Sequence, residues 1–109
     1  NCDVIYVPTD NTVAENTGII DNVCAPKMVP VIAGEEGICK GCGVATLSIS
    51  YYDLGYATGK MAVKVLKGEA DISTLAIGYA ETQTPKYNKA ICDALGITPL
   101  EGYVAIEDN

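Results

Sequence analysis

The sequence contains no histidine, arginine, tryptophan or phenylalanine, and all of its aromatic content comes from seven tyrosines. Without histidine or arginine, the chain has no Ser-His-Asp or Cys-His catalytic system, no histidine-containing zinc site and no arginine clamp for phosphate. The net charge of −7 argues against nucleic acid, because nucleic-acid binding depends on lysine and arginine side chains that neutralise phosphates. We therefore predict no nucleic-acid partner, no metal site and no cofactor.

Long apolar runs and a cysteine framework are also missing. No stretch approaches the roughly 20 apolar residues of a membrane-spanning helix, and no basic-then-apolar leader is present, so we expect no signal peptide within this chain. An odd number of cysteines cannot all pair within one chain, and their scatter does not resemble a disulfide framework. We expect most of them to be reduced and buried. The five are Cys2, Cys24, Cys39, Cys42 and Cys92.

The apolar pattern of the first third predicts a strand, a helix and a second strand. Residues 4–8 are apolar and of strand type, and a helix is expected from Val13 to about Val23 or Cys24, ended by Pro26. Residues 28–33 predict a second buried strand, with Pro30 near its start. Strand, helix and strand within about 30 residues indicate a parallel βαβ unit.

The rest of the chain continues this alternation. Residues 34–43 contain four glycines and are predicted to be a loop, followed by a strand at 44–50 and a helix from 51 or 52 to 67. A short strand is expected at 75–80, then a helix from Thr84 to Leu95, and an edge strand or docked extension at 103–106. The fold class is therefore α/β, and its sheet is short of strands for a free-standing doubly wound domain.

Polar residues follow the first three predicted strands at the points where they end. In a parallel sheet these points lie along one edge, where ligands bind, so the clusters could form one pocket for a polar or cationic ligand with an apolar or aromatic body. Ordinary turns, in which aspartate and asparagine side chains only satisfy the backbone, explain the same pattern. Thr12 and Glu15 have the spacing of a capping box for the helix after the first cluster. The clusters are Thr9/Asp10/Asn11, Glu35/Glu36 and Ser50/Tyr51/Tyr52.

Three other kinds of chemistry deserve comparison with this ligand site. Asp10 with Glu35 or Glu36 could form the acid/base pair of a glycosidase, or hold Mg²⁺ as in receiver domains, although the late strand-end lysine of receivers is missing. Cys39 and Cys42 have thioredoxin-like spacing, but the motif falls in a glycine-rich segment without a helix pattern after it. A zinc site would need two further ligands from distant residues. A local disulfide, if the loop is oxidised, is the simpler interpretation.

Five motifs in order resemble one known family. Together they resemble the C-terminal part of ABC-transporter substrate-binding proteins of the tryptophan/tyrosine-permease-associated type, which have the type I periplasmic-binding-protein fold. The resemblance covers nearly the whole chain. The motifs are Asp3-Val-Ile-Tyr-Val-Pro-Thr-Asp-Asn-Thr-Val, Val29-Pro-Val-Ile-Ala-Gly-Glu, Ala45-Thr-Leu-Ser-Ile-Ser-Tyr-Tyr-Asp-Leu-Gly, Lys60-Met-Ala-Val-Lys-Val-Leu-Lys-Gly and Tyr87-Asn-Lys-Ala-Ile-Cys-Asp-Ala-Leu-Gly-Ile.

The resemblance implies a receptor that is not an enzyme. Two Rossmann-like lobes would close around an amino acid or related small organic solute and deliver it to the membrane permease of an ABC importer. The protein would be extracytoplasmic, either periplasmic or a lipoprotein anchored at the cell surface. The alternative from another class is a small α/β redox or phosphoacceptor protein that uses Cys39 and Cys42 or Asp10.

The resemblance also implies a set of ligand-binding residues, with none that is catalytic or binds a metal. An acidic residue is common in the family where this chain has Ser50, and that difference bears on the ligand class. The implied ligand-binding residues are Thr9, Asp10 and Asn11 from the Pro-Thr-Asp-Asn motif, Glu35 from Ala-Gly-Glu, and Ser50 and Tyr51 from Ile-Ser-Tyr-Tyr.

In that fold the chain would be a partial lobe, with a parallel, Rossmann-like, three-layer sheet. Residues 1–50 would supply the βαβ unit and third strand of the second lobe, 51–68 a helix that packs on a first lobe absent from this chain, and 69–109 the C-terminal strand and helix. We therefore expect residues 1–109 to be a C-terminal fragment. Uncovered strand edges and apolar faces predict that it self-associates.

Overall fold

The structure, a computed structural model, describes residues 2–107, so the two ends of the predicted 1–109 fragment lie outside the described residues. It is a mixed α/β fold with a mostly parallel five-stranded sheet, which confirms the predicted fold class. The strands run in the order β1 (Ile5–Val7), β2 (Val31–Ala33), β3 (Ala45–Ile49), β4 (Gln83–Tyr87) and β5 (Val104–Ala105). The helices are α1 (Asn11–Ala14), α2 (Thr17–Cys24), α3 (Glu36–Cys42), α4 (Tyr51–Leu66) and α5 (Lys89–Leu95), with a 3₁₀ turn at Ala25–Lys27.

The described residues divide into two compact units. The first comprises residues 2–48 and 84–107, and the second comprises Ile49–Gln83, which contains α4 and the segment after it. Within residues 2–107, no helix combines the length and the apolar character needed to cross a membrane.

The predicted βαβ unit is confirmed as parallel. β1 pairs with β2 from Ile5 opposite Val31 to Val7 opposite Ala33, and β2 pairs with β3 in the same direction. β2 begins later than predicted, because the left-handed Met28 (φ 55°) ends the 3₁₀ turn and its amide donates to the Ala25 carbonyl. The extended pairing therefore starts only after Pro30, as its place near the strand start predicts.

Only one face of the first three strands is buried. Val7, Val31 and Ala33 pack against Cys24 of α2 and against α3. The opposite face carries Tyr6, Ile32 and Leu47, whose relative exposures are 66%, 36% and 54%. Strand side chains alternate between the two faces, so the uniformly apolar sequence of 4–8 supplies both the core and this exposed sheet face.

The single helix predicted from Val13 is wrong, because two helices separated at Asn16 occupy this segment. The Asn16 side chain donates to the Thr12 carbonyl at 2.8 Å, and its backbone amide donates to the Val13 carbonyl at 2.9 Å. Asparagine side chains compete in this way with regular helical hydrogen bonds. The first helix also starts earlier than the proposed capping box, because Asp10 rather than Thr12 is its N-cap.

The loop predicted at 34–43 is also wrong, because most of it forms α3. Glu35 caps the helix, and its carboxylate accepts the backbone amides of Gly37 (2.8 Å) and Ile38. Ile38, Cys39 and Cys42 are buried along one side of the helix. The cap and this buried face outweigh the low helix propensity of the glycines.

The third strand and the long helix are confirmed. The predicted strand at 44–50 is β3, and the predicted helix at 51 or 52 to 67 is α4. The Ser50 hydroxyl accepts the Asp53 amide at 3.1 Å and so caps the helix start. Gly68 follows the helix with a positive φ of 73°, a conformation that favours glycine over other residues.

Two predictions in the last third are wrong. Residues 75–80 contain no strand, and the Thr84-Pro85 pair lies within β4 instead of starting a helix. The helix begins at Lys89, where Asn88 caps it by accepting the Ile91 amide at 3.2 Å. Threonine before proline is also typical of extended backbone, because proline disfavours the α conformation in the residue before it.

The C-terminal segment forms the predicted edge strand. β5 pairs in parallel with β4, and the Ile106 amide donates to the Tyr87 carbonyl at 2.9 Å. The Asn88 amide donates to the Val44 carbonyl at 3.0 Å, which places the end of β4 beside the start of β3. These bonds join β4 and β5 to the rest of the first unit.

Candidate functional site

The ends of β1 and β2 are in direct contact. The Thr9 hydroxyl donates to the Gly34 carbonyl at 3.3 Å, and the Gly34 amide donates to the Val7 carbonyl at 2.7 Å. A Cβ at position 34 would lie 2.6 Å from the Thr9 amide nitrogen, so only glycine allows this approach. The two strand ends predicted from the sequence to meet at one edge therefore do so.

Asp10 is the N-cap of α1 and is exposed. One carboxylate oxygen, Oδ1, accepts the Val13 amide at 2.9 Å. Within the part of the chain that the structure describes, no hydrogen bond is formed to Oδ2. Asn11, the first residue of α1, is exposed beside it. Asp10 thus combines a structural role with an oxygen that faces solvent.

Glu35 accepts more backbone hydrogen bonds than Asp10 does. Both of its oxygens accept amides of the first turn of α3, and the residue is half-buried. Carboxylates that accept backbone amides are fixed in position, and each oxygen keeps a second lone pair for a ligand. Glu35 can therefore offer a fixed negative charge at the end of β2.

Glu36 forms an ion pair that sequence reasoning missed. Its Oε2 lies 2.7 Å from Lys86 Nζ, and the Ser48 hydroxyl lies 3.4 Å from the same oxygen. The side chains of Lys86 and Glu36 are 27% and 39% exposed. The prediction of a helix from Thr84 concealed this pair, because only a strand at 83–87 brings Lys86 to the sheet.

Ser50 and Tyr51 belong to the second unit. The Ser50 hydroxyl caps α4, and Tyr51 is the first residue of that helix, with 59% of its surface exposed. The first unit brings Thr9, Asp10 and Asn11 together with Glu35 at one strand-end edge. Ser50 and Tyr51, the first two residues of the predicted third cluster, directly follow β3 in the sequence.

The chemistry of the strand-end edge suits a cation or a hydrogen-bond donor. In the first unit it carries the carboxylates of Asp10, Glu35 and Glu36, with Lys86 as the cation paired to one of them. Such a set can accept hydrogen bonds from an ammonium group. Among residues 2–107, no group of three or more histidine, cysteine, aspartate or glutamate side chains is arranged to hold a metal ion.

The two cysteines of the thioredoxin-like motif are poorly suited to redox chemistry. Both are buried in α3, and the thiols of Cys39 and Cys42 donate to the backbone carbonyls of Gly43 and Ile38, respectively. Burial, reinforced by Cys92 and Cys42, raises the pKa of the Cys39 thiol to about 12, and burial also raises the pKa of Cys42. Since the thiolate is the reactive form, both side chains are disfavoured as nucleophiles or metal ligands. Four of the five cysteines are buried and free, as predicted.

Comparison with known proteins defines the class to which these features belong. The family described as ABC transporter substrate binding protein matches residues 1–106. The chain therefore belongs to the family of ABC transporter substrate-binding proteins, as the five sequence motifs predict. Proteins of this family bind solutes and are not enzymes, which agrees with the predicted absence of a catalytic role.

The chain is also similar to individual proteins. The chain is 40% identical over 68 residues to a tyrosine-binding protein of Clostridioides difficile (strain R20291), a match that covers 62% of this chain and 20% of that protein. It is similar to the ligand-free, open structure of a substrate-binding protein with adhesive properties from Clostridium difficile, with 34% identity and a TM-score of 0.72 over 97% of this chain and 36% of the other.

A second solved structure is similar over nearly the same part. It is an ABC domain from Streptococcus pneumonia in complex with L-Trp, with 34% identity and a TM-score of 0.78 over 95% of this chain and 37% of the other. The chain thus spans about a fifth of the curated relative and somewhat over a third of each solved structure.

Proposed function

We propose that this chain is part of the extracytoplasmic solute-binding component of an ABC importer, which binds an amino acid between two lobes and delivers it to a permease. The observation that carries the proposal is the contact between the ends of β1 and β2, with Asp10 and Glu35 beside it. An aromatic amino acid is the favoured solute, since one relative is named for tyrosine and another was solved with L-Trp.

Each proposed ligand-binding residue has a chemical role. Asp10 Oδ2 accepts the ammonium group of the amino acid, and Glu35 adds a fixed negative charge near it. Thr9 and Asn11 offer hydroxyl and amide groups for further hydrogen bonds. Ser50 offers a hydroxyl, and Tyr51 an exposed ring that can stack on an aromatic group.

The place of the chain in a two-lobed receptor is part of the proposal. Residues 1–50 would form second-lobe strands and helices, 51–68 a helix that packs on the first lobe, and 69–109 the C-terminal strand and helix. Its similarity to little more than a third of each solved neighbour supports its assignment as one part of a longer receptor. Because family members serve importers, the receptor is proposed to be periplasmic or a lipid-anchored lipoprotein.

A second copy of this chain is the proposed partner of the exposed sheet face. Tyr6 and Ile32 lie directly opposite each other, and Leu47 is on the same sheet face two residues beyond Ala45, which pairs with Ile32. Exposed apolar surface of this kind mediates association. Light scattering of the 109-residue chain is expected to show a dimer or larger species at high micromolar concentration. Leu47→Ser should shift the population to monomer. A stable monomer in the unaltered chain would refute self-association.

The solute proposal is tested by the thermal stability of the unaltered chain with and without solute. A bound solute stabilises the folded state by mass action, so L-tyrosine or L-tryptophan should raise Tm, whereas glycerol and glucose should not. No shift with any amino acid up to millimolar concentration would contradict the proposal. A disulfide reductase activity that disappears with Cys39→Ser would instead establish the redox alternative.

A further inference from the structure

The Glu36–Lys86 ion pair differs from the other ion pairs in the described residues. Lys89 pairs with Asp93 at 2.6 Å within α5, and both side chains are about two-thirds exposed, at 68% and 65%. Lys86 and Glu36 are only 27% and 39% exposed, and they join residues 50 positions apart in the sequence. Water screens a partly buried pair less than an exposed one, so its charges act more strongly on their surroundings.

This pair lies close to the strand-end edge. Glu36 is separated from Gly34 by two Cα steps of about 3.8 Å each, and the Gly34 carbonyl accepts the Thr9 hydroxyl. Glu35, which occupies the position between them, carries a charge that caps α3. Glu36 therefore adds a third carboxylate to the edge, after those of Asp10 and Glu35, and its ion pair with Lys86 balances its charge.

We propose that Lys86 is a specificity-determining residue of the solute site, because by neutralising Glu36 it limits the negative charge of the strand-end edge. With the pair intact, the edge carries one negative charge fewer, which lessens its attraction for an amine with a net positive charge and so favours a zwitterionic amino acid relative to an edge without Lys86. Without Lys86, the unbalanced Glu36 carboxylate attracts the cationic amine more strongly. This inference rests on the proposed function and names the charge class of the solute.

The test compares L-tyrosine with tyramine, which has the same ring and ammonium group but lacks the carboxylate. The ratio of the two dissociation constants is measured by calorimetry at low salt. Lys86→Met is expected to shift that ratio toward tyramine by about three- to tenfold, the order expected for one uncompensated charge near a protein surface. The shift should shrink as salt is raised, because screening weakens the added charge.

Lys89→Met is the matched control, since it removes the same charge from an exposed pair in the same unit. It should leave the ratio unchanged within about twofold. The double variant Glu36→Gln/Lys86→Met should restore the original ratio. Glu36→Gln alone, which leaves Lys86 unpaired, should shift the ratio in the opposite direction and provides the test if Lys86→Met does not fold.

The outcomes distinguish a failure of the proposed role of Lys86 from a failure of the proposed function. If the unaltered chain binds L-tyrosine but Lys86→Met and Lys89→Met shift the ratio equally, or neither shifts it, the role of Lys86 is refuted while the proposed function stands. If the unaltered chain binds neither L-tyrosine nor tyramine, the proposed function fails, and the role of Lys86 fails with it.

Discussion

The Thr9 hydroxyl donates a hydrogen bond of 3.3 Å to the Gly34 carbonyl, and this contact fixes the ends of β1 and β2 against each other. The Thr9 backbone occupies the space that a side chain at position 34 would need. Asp10 follows Thr9 and Glu35 follows Gly34, so the same contact sets the relative position of both capping carboxylates. The relative position of the two carboxylates of the proposed solute site therefore depends on Gly34.

Gly34→Ala is expected to destabilise the chain by about 1–3 kcal/mol, the usual cost of forcing extra volume into packed backbone. A Cβ there would lie 2.6 Å from the Thr9 nitrogen, so β1 and β2 must separate. Urea denaturation measures the loss. Gly18→Ala, in α2, is the control: its Cβ would meet nothing within 4 Å, and stability should hold or rise. Equal effects of the two substitutions would refute the close approach.

Removal of the Glu35 carboxylate should weaken α3. Glu35→Ala loses a cap that accepts two backbone amides, and the expected cost is about 0.5–2 kcal/mol. Amide hydrogen exchange should quicken at Gly37 and Ile38 in particular. Glu101→Ala, a charge change at an exposed turn, serves as control. Unchanged protection at both amides would contradict the assigned cap.

We expect the free energy of unfolding to fall at alkaline pH because the buried Cys39 thiol must ionise there. Its pKa is raised from 9.0 to about 12, chiefly by burial, so the folded chain keeps the thiol proton where the unfolded chain has lost it. The stabilising contribution is therefore complete below pH 9 and lost as pH rises from 9 toward 12. Over one pH unit in this window the loss approaches about 1.4 kcal/mol.

The measurement is the free energy of unfolding at pH 8 and pH 10.5, compared between the unaltered chain and Cys39→Ala. The alanine variant should show a smaller decrease, because it lacks the Cys39 thiol and is otherwise identical to the unaltered chain. Cys2→Ala, at an exposed cysteine, should behave like the unaltered chain. The same decrease in all three proteins would mean that Cys39 does not titrate as its burial implies.

Local sequence signals predicted the helices and strands correctly where the capping residues and the apolar pattern agree. Ser50 and Asp53 mark the start of α4, and the apolar run before Pro8 marks β1. The α3 helix was missed because glycines at 37 and 41 suggested a loop, whereas tertiary burial of Ile38 and Cys39 stabilises a helix. Propensity is a weak guide when packing decides the outcome.

The candidate site, like the fold, was predictable only in part. Asp10 and Glu35 follow strand ends, so their place at one edge follows from parallel topology alone. Their capping of α1 and α3 was not anticipated, because the first helix was expected to start later and residues 34–43 were expected to form a loop. The Glu36–Lys86 pair joins residues 50 positions apart, and only the correct strand assignment for 83–87 could reveal it.

Calorimetric titration of L-tyrosine into the unaltered chain, Asp10→Asn and Glu15→Gln tests the central claim most directly. Asparagine keeps an oxygen for the Val13 amide, so the α1 cap survives while the charge that would bind the solute ammonium is lost. Glu15→Gln removes an equal charge from an exposed residue at the end of the same helix.

The account predicts that Asp10→Asn weakens binding by about 10- to 100-fold, the range expected for loss of a charged hydrogen bond, and that Glu15→Gln binds as the unaltered chain does. Equal affinity in all three proteins would show that the strand-end carboxylate does not hold the solute.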